Sequence, residues 1–184
     1  MFLSWPAGGG LYGDNGAYID DLIIWDNAGS EMNTASRLGP HRIRSLFPSA
    51  NGTYNQFSGY ANTGGNWNAL RTTDDDSSFA EANTNGSKSS FLFDNIPGNP
   101  TKIPAISVRV MQKNPDIGQK QFSLFAKNGT VEVNSNNTIM SAGLFYAYSP
   151  NSMNPIVYHS NPNSNIAWTS SSWANTELGI KVES

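Results

Sequence analysis

The chain has 184 residues, of which 38% are hydrophobic and 11% aromatic, so it can bury a core and is not a disordered chain. Charged residues make up only 14% and the net charge is −3, which leaves no basic field for phosphate and argues against nucleic-acid binding. Cysteine is absent, which excludes disulfides and thiolate-bound metals. No apolar run approaches the roughly 18 residues that cross a membrane.

The first 16 residues are rich in glycine and are predicted to form an extended arm. No Lys or Arg precedes the short apolar start, and Pro6 interrupts it, so the segment does not resemble a secretory signal. With the strand that follows, this arm is expected to form a unit over residues 1–30, and residues 31–184 are expected to form the folded domain.

The first predicted strand covers residues 18–26 and is apolar on both faces. Such a strand is buried on both sides or lies at an interface with another chain. Five of its apolar side chains are therefore predicted to be assembly contacts. They are Tyr18, Leu22, Ile23, Ile24 and Trp25.

Short alternating segments then follow, separated by loops rich in Asn, Gly and Pro, at a spacing of about 8 to 12 residues. The strongest pair, 105–113 and 120–127, is predicted to form a hairpin through the turn "PDIG". Helix is nearly absent, and the pattern predicts an all-β fold: an antiparallel β-sandwich, jelly-roll-like, with an extended N-terminal arm. The other predicted strands are 41–48, 54–57, 67–70, 78–82, 89–93, 131–133, 138–149, 156–158 and 178–182.

The residues that most often carry catalysis or bind metals form no recognisable motif. His41 and His159 fall in predicted loops, where ordinary polar roles are expected. The acidic run at 74–78 lacks the spacing of a calcium loop, and no phosphate or dinucleotide motif is present. Catalytic, cofactor and metal sites are therefore not predicted, and the protein is not expected to be an enzyme. The carboxylates that a glycosidase would need are available only as scattered glutamates, namely Glu31, Glu81, Glu132 and Glu177.

Two tryptophans lie among small polar residues, Trp67 in "GGNWNAL" and Trp173 in "SSSWANT". Exposed aromatic rings in such surroundings stack on sugars, whereas large aromatic side chains also dominate sandwich cores. Both alternatives, a core position and a glycan contact, are open for each residue.

Four segments carry a family resemblance: "GAYIDDLIIWDNAGS", "RLGPHRIRSLFPSANG", "FLFDNIPGNPTKIPAISVRVMQK" and "WANTELGIKVE". In this order, over about residues 17 to 183, they resemble a β-rich module of tailed-phage virion proteins that follows a concanavalin-like lectin domain. The sequence departs from this pattern before Ala17, so the lectin-like half, and any sugar site within it, is expected to be absent.

The resemblance implies a structural protein located in the virion. One reading is a capsid decoration or cement protein on the outer surface of the shell, with the major capsid protein and copies of itself as partners. The alternative is a tail-fibre or baseplate component in which Trp67 and Trp173 contact host glycans. A glycan-degrading enzyme is the least favoured reading.

Overall fold

In the computed structural model, the described residues are 43–60, 64–71, 77–116, 118–140, 147–149 and 156–183. The chain divides by its internal contacts into Met1–Leu38 and Gly39–Ser184, and all described residues belong to the second unit.

The regular structure in the described part of the chain is mostly antiparallel strand, as its short alternating apolar segments predict. Two short helices interrupt them, α1 (Asn66–Ala69) and α2 (Ser170–Ala174). The strands are β1 (Pro48–Asn55), β2 (Ser58–Tyr60), β3 (Phe79–Glu81), β4 (Lys88–Phe93), β5 (Ile106–Val108), β6 (Val110–Gln112), β7 (Lys120–Asn128), β8 (Val131–Asn134), β9 (Thr138–Met140), β10 (Ala147–Ser149), β11 (Ile156–Tyr158) and β12 (Thr176–Glu183).

The main sheet has the strand order β1-β4-β12-β7-β8, and β9 also pairs with β7. Strand β12, the last in sequence, lies between β4 and β7, where Leu178 is opposite both Phe91 and Ala126. The pairings β10-β6, β11-β5 and β2-β3 form three small two-stranded sheets. All of these pairs are antiparallel.

The core lies between one face of the main sheet and the β5–β11 pair, which gives the fold its sandwich-like arrangement. Leu178 and Ala126 contribute from the sheet, and Ile106 and Tyr158 from the smaller layer. Trp168, with no exposed surface, donates from its indole Nε1 to the Tyr158 carbonyl at 2.9 Å. Burial of these side chains supplies most of the stability of such a core.

A close contact between β7 and β12 depends on Gly179. The ring of Phe125, fully buried on β7, lies where a side chain at position 179 would be, and the Ser89 carbonyl is 2.6 Å from the same point. Tyr54 packs edge-on against Phe125, with ring centroids 5.9 Å apart. The strand therefore tolerates glycine here because an aromatic ring fills the space above it.

The predicted hairpin between 105–113 and 120–127 is wrong. The first segment forms two strands, β5 and β6, which pair with β11 and β10. The second is β7, which pairs with β12 and with β8 and β9. The hairpin that does form is β7–β8, in which Asn128 is opposite Val131 across the Gly129–Thr130 loop. An Asn-Gly pair between alternating segments is a strong hairpin signal, and it marks this turn in the sequence.

Two other segments differ from expectation. Residues 67–70 were expected to be a strand but belong mostly to α1, because the side chain of Asn66 ties the segment to Asn55 and to the Phe57 carbonyl. Pro48, expected to end a strand, begins β1, and the Asn-Gly pair at 51–52 lies within this strand. Proline fits here because β1 is the end strand of the sheet order.

The remaining expectations divide into three groups. The all-β antiparallel class and the strands at 89–93, 156–158 and 178–182 are confirmed by β4, β11 and β12. The jelly-roll connectivity and the domain division at residue 30 stay predictions. Outside the described residues lie the N-terminal arm and the assembly contacts Tyr18, Leu22, Ile23, Ile24 and Trp25.

Candidate functional site

Trp67 lies in α1, held against β1 by polar contacts. Its backbone N–H donates to the Asn51 side-chain oxygen at 3.1 Å. Gly65, the residue before helix α1, has φ +93°, a conformation that suits glycine. A side chain at position 65 would also approach the Asn51 amide to 2.9 Å. The short helix is therefore fixed by side-chain amides of its neighbours, and the indole of Trp67 remains half-buried.

The surroundings of Trp67 combine an aromatic ring, a cation and amides. The guanidinium of Arg71 lies 5.9 Å from the ring centroid, at the outer limit of a cation–π contact. Asn68 and Arg71 are exposed. An accessible indole next to amide and guanidinium donors can stack on a sugar ring and bind its hydroxyls. We call Trp67, Asn68 and Arg71 the Trp67 patch.

Trp173 does not share this environment, because its side chain is buried in the core. The side chain is only 5% exposed and belongs to the core cluster. Its Nε1 donates to the Asp94 carbonyl at 3.0 Å, and its ring packs on Phe93. The residue sits in α2, whose first turn is closed by reciprocal hydrogen bonds between Thr169 and Ser172. No ring face is left for a ligand, so the core alternative applies.

A second concentration of polar groups lies on the other face of the main sheet, around Glu177 of β12. Its carboxylate accepts from the Thr53 backbone N–H at 2.7 Å, the Thr53 hydroxyl at 2.6 Å and the Ser90 hydroxyl at 2.6 Å. Lys127 donates to it at 3.1 Å. These four residues form the Glu177 cluster, and they come from the neighbouring strands β1, β4, β12 and β7.

Hydrogen bonds determine the protonation state of Glu177. Burial of the carboxyl raises its pKa, but the bonds from Ser90, Thr53 and Lys127 outweigh that effect and lower the pKa of Glu177 to about 2. A carboxylate with so low a pKa is a poor proton acceptor at neutral pH and holds no proton to donate. Thr53 Oγ1 donates to Glu177 and accepts from Lys127 at 3.0 Å, so the base that its hydroxyl faces is this weakly basic carboxylate, which is poorly suited to activate it.

The same face carries two further ion pairs. Lys88 binds Glu132 at 2.6 Å while its ammonium lies 5.0 Å from the ring centroid of Tyr54 and 5.3 Å from that of Phe125. At the end of β12, Glu183 pairs with Lys181 at 2.9 Å, a contact that lowers the pKa of Glu183. The charged groups on this face thus neutralise one another within the sheet.

Two of the other candidate residues are described. His159 is exposed after β11, and Glu81 is exposed on β3. His41, Glu31 and the aspartates of the acidic run at 74–78 lie outside the described residues. Across the ranges that the structure describes, no three His, Cys, Asp or Glu side chains are grouped to hold a metal ion.

The Glu177 cluster was not foreseen as a unit. Alternation in β12 places Glu177 on the face opposite Leu178, which is readable from the sequence. Its partners become neighbours only through strand pairing, and no local signal links Thr53 to Ser90. Gly52 is the one hint, because any side chain there would collide with Glu177 and Ser90.

No protein-family model, curated protein or solved structure matches the chain. Among the described residues, no helix is long and apolar enough to span a bilayer.

Proposed function

We propose that the protein is a structural component of a tailed-phage virion, a decoration or cement protein on the outer surface of the capsid shell. The Glu177 cluster is the observation that carries a structural role. Its polar groups bind one another across four neighbouring strands, and its carboxylate has a pKa unsuited to proton transfer. The phage assignment itself depends on the ordered family resemblance in the sequence.

Composition supports the same role. With 14% charged residues and no cysteine, the surface is dominated by neutral amides and hydroxyls, a composition common on virion and extracellular proteins. Two layers that pack around Trp168 give a module whose core forms without disulfides. The partners under this proposal are the major capsid protein and further copies of the chain.

Copy number in purified virions tests the decoration role. Quantitative mass spectrometry should find the protein at a level comparable to that of the major shell protein. A few copies per particle would instead place it in the tail, and absence from the virion would exclude both locations.

The predicted assembly contacts can be tested by substitution. Replacing Leu22 and Ile24 together by serine should weaken binding of the purified protein to undecorated shells by about tenfold or more, because buried apolar anchors dominate interfaces. Ile166→Ser is the matched control, since Ile166 is 64% exposed and lies outside the predicted contact strand. Equal binding by both variants would exclude this strand as the contact.

The Trp67 patch favours a second candidate, a tail-fibre or baseplate protein that binds host glycans. Glycan-array binding by the purified protein should disappear in Trp67→Ala and persist in Ile166→Ala. Binding that survives loss of the indole would exclude the patch as the sugar site. A glycan-degrading enzyme is less well supported, because Glu177 is too acidic to protonate a leaving group.

A further inference from the structure

Three Asn-Gly pairs lie in the described part of the chain, Asn51–Gly52, Asn85–Gly86 and Asn128–Gly129. This dipeptide is the one most prone to spontaneous deamidation, because glycine has no Cβ to hinder its own backbone nitrogen. That nitrogen must reach the side-chain amide carbon of the preceding Asn. Whether it can do so depends on how tightly the fold holds each pair.

Deamidation of an Asn-Gly pair requires no reactant other than water. The glycine nitrogen loses its proton to solvent and attacks Cγ of Asn, so a C–N bond forms, the Cγ–Nδ2 bond breaks and ammonia leaves. Water then opens the resulting succinimide at either carbonyl. The products are aspartate and isoaspartate, each with one additional negative charge, and no oxidant or cofactor takes part.

Asn128 is held most firmly. Its side chain is buried, and its Nδ2 donates to the Ser172 carbonyl at 2.9 Å, the Asn175 carbonyl at 3.1 Å and the Thr176 hydroxyl at 3.0 Å. All three bonds must break before Cγ can turn toward the Gly129 nitrogen.

Asn51 is held in β1. Its side-chain oxygen accepts from the Trp67 N–H at 3.1 Å, and Asn51 is opposite Phe91 of β4. A side chain at the adjoining position 52 would collide with Ser90 and Glu177, so the backbone of Gly52 is packed tightly. Rotation of the Asn51 side chain would release α1 and disturb the pairing of β1 with β4.

Asn85 is much less constrained. Asn85 and Gly86 are both exposed in the turn between β3 and β4, and an added Cβ at Gly86 would meet nothing within 4 Å. The turn is closed by the Ser87 N–H bond to the Thr84 carbonyl at 3.2 Å. The Gly86 nitrogen is held by one bond, to the Val182 carbonyl at 3.0 Å. A local opening of this turn frees both reacting groups without disturbing the core.

We propose that, among the three described Asn-Gly pairs, Asn85 is the one that deamidates in the folded protein and that the fold protects Asn51 and Asn128. Conversion of Asn85 adds a negative charge to the turn, and isoaspartate also lengthens its main chain by one carbon. The bonds that join the turn to β12, from Gly86 to Val182 and from Val182 to Ser87, are those that this change weakens.

Peptide mass spectrometry of protein aged in mildly alkaline buffer tests the order of reaction. In the folded protein, Asn85 should deamidate at least about tenfold faster than Asn128, since three hydrogen bonds must open at the latter site. In urea, the three sites should react at similar rates. Asn85→Gln should abolish the deamidated peptide at position 85, while Asn51 and Asn128 should deamidate as slowly as before.

Two results would overturn the proposal. One is deamidation of folded Asn51 or Asn128 as fast as that of Asn85. The other is an intact Asn85 in folded protein under conditions in which the urea-treated chain reacts there.

Discussion

The carboxylate of Glu177 accepts hydrogen bonds from groups on three other strands of the main sheet, and this controls its response to pH. Its side chain is 13% exposed and that of its partner Lys127 is 15% exposed. Hydrogen bonds to a charged group in such a place contribute more than those between neutral groups. Glu177 is therefore expected to matter for stability although it has no role in a core.

Glu177→Gln should lower the free energy of unfolding at neutral pH by about 1–3 kcal/mol, because Lys127 loses its counter-charge. Urea unfolding followed by tryptophan fluorescence measures this change. Glu81→Gln, a change on an exposed glutamate, should alter stability by less than about 0.5 kcal/mol. If Glu177→Gln were as stable as Glu81→Gln, the Glu177 cluster would not contribute to the stability of the sheet.

The acid dependence has a defined sign. Because folding lowers the pKa of Glu177 from 4.5 to about 2, its contribution is fully present above pH 4.5 and is lost as the pH falls toward 2. Wild type should lose stability across this window, and Glu177→Gln should lose less. Glu183, whose pKa is also lowered, titrates in both proteins and so cancels in the comparison.

At the scale of the strands, the contact between Phe125 and Gly179 sets how closely β7 and β12 approach. Gly179→Ala would drive a methyl group into the Phe125 ring and the Ser89 carbonyl, with an expected loss of about 1–3 kcal/mol. Chemical denaturation of the purified variant provides the measurement.

A double-mutant cycle with Phe125→Leu identifies the cause. If the ring is the obstacle, Gly179→Ala should cost clearly less in the Phe125→Leu background, since contacting residues are not additive. Equal costs in both backgrounds would assign the effect to the Ser89 backbone instead.

The same strands show where local pattern predicts pairing and where it does not. The sequence pattern correctly located β4, β11 and β12. It did not show how they are covered, because Ser89, Ser90 and Phe91 are buried in succession and β4 is therefore buried on both faces. It failed for 105–113, since a long apolar segment carries no information about its partner, and β5 and β6 pair with strands far along the chain. The segment 67–70 was too short for its period to distinguish strand from helix.

For the whole described unit, Tyr158 provides a polar link between the two layers. Its hydroxyl donates to the Leu124 carbonyl of β7 at 3.2 Å, and its ring packs in the core. Burial raises the pKa of Tyr158 from 10.0 to about 12, because the phenolate is poorly solvated there.

Stability should therefore fall as the pH rises from 10 toward 12, since the unfolded chain releases the Tyr158 proton more readily than the folded one. Tyr158→Phe should lower stability at neutral pH by about 0.5–1.5 kcal/mol and should reduce this alkaline loss. Thermal unfolding across the pH range measures both effects. An unchanged alkaline profile in the variant would show that other groups cause the loss.

For the candidate site, the sequence located both tryptophans but did not show which of them is accessible. Trp67 and Trp173 are equivalent in sequence, each a tryptophan among small polar residues, and only packing separates them. Trp173 is drawn into the core by the capped helix α2, whereas Trp67 lies half-buried beside Arg71. Local sequence does not determine which ring is covered, because the residues that cover Trp173 come from distant segments.

The sequence by itself determined the all-β class, the freedom from disulfides and the positions of several strands, because composition and side-chain period are local properties. Tertiary structure decided that β12 lies at the middle of the main sheet, that β7 pairs with it instead of with its predicted hairpin partner, and that Glu177 meets Thr53, Ser90 and Lys127. These outcomes depend on long-range strand pairing, in which many partners satisfy the same alternation and packing of the whole core selects among them.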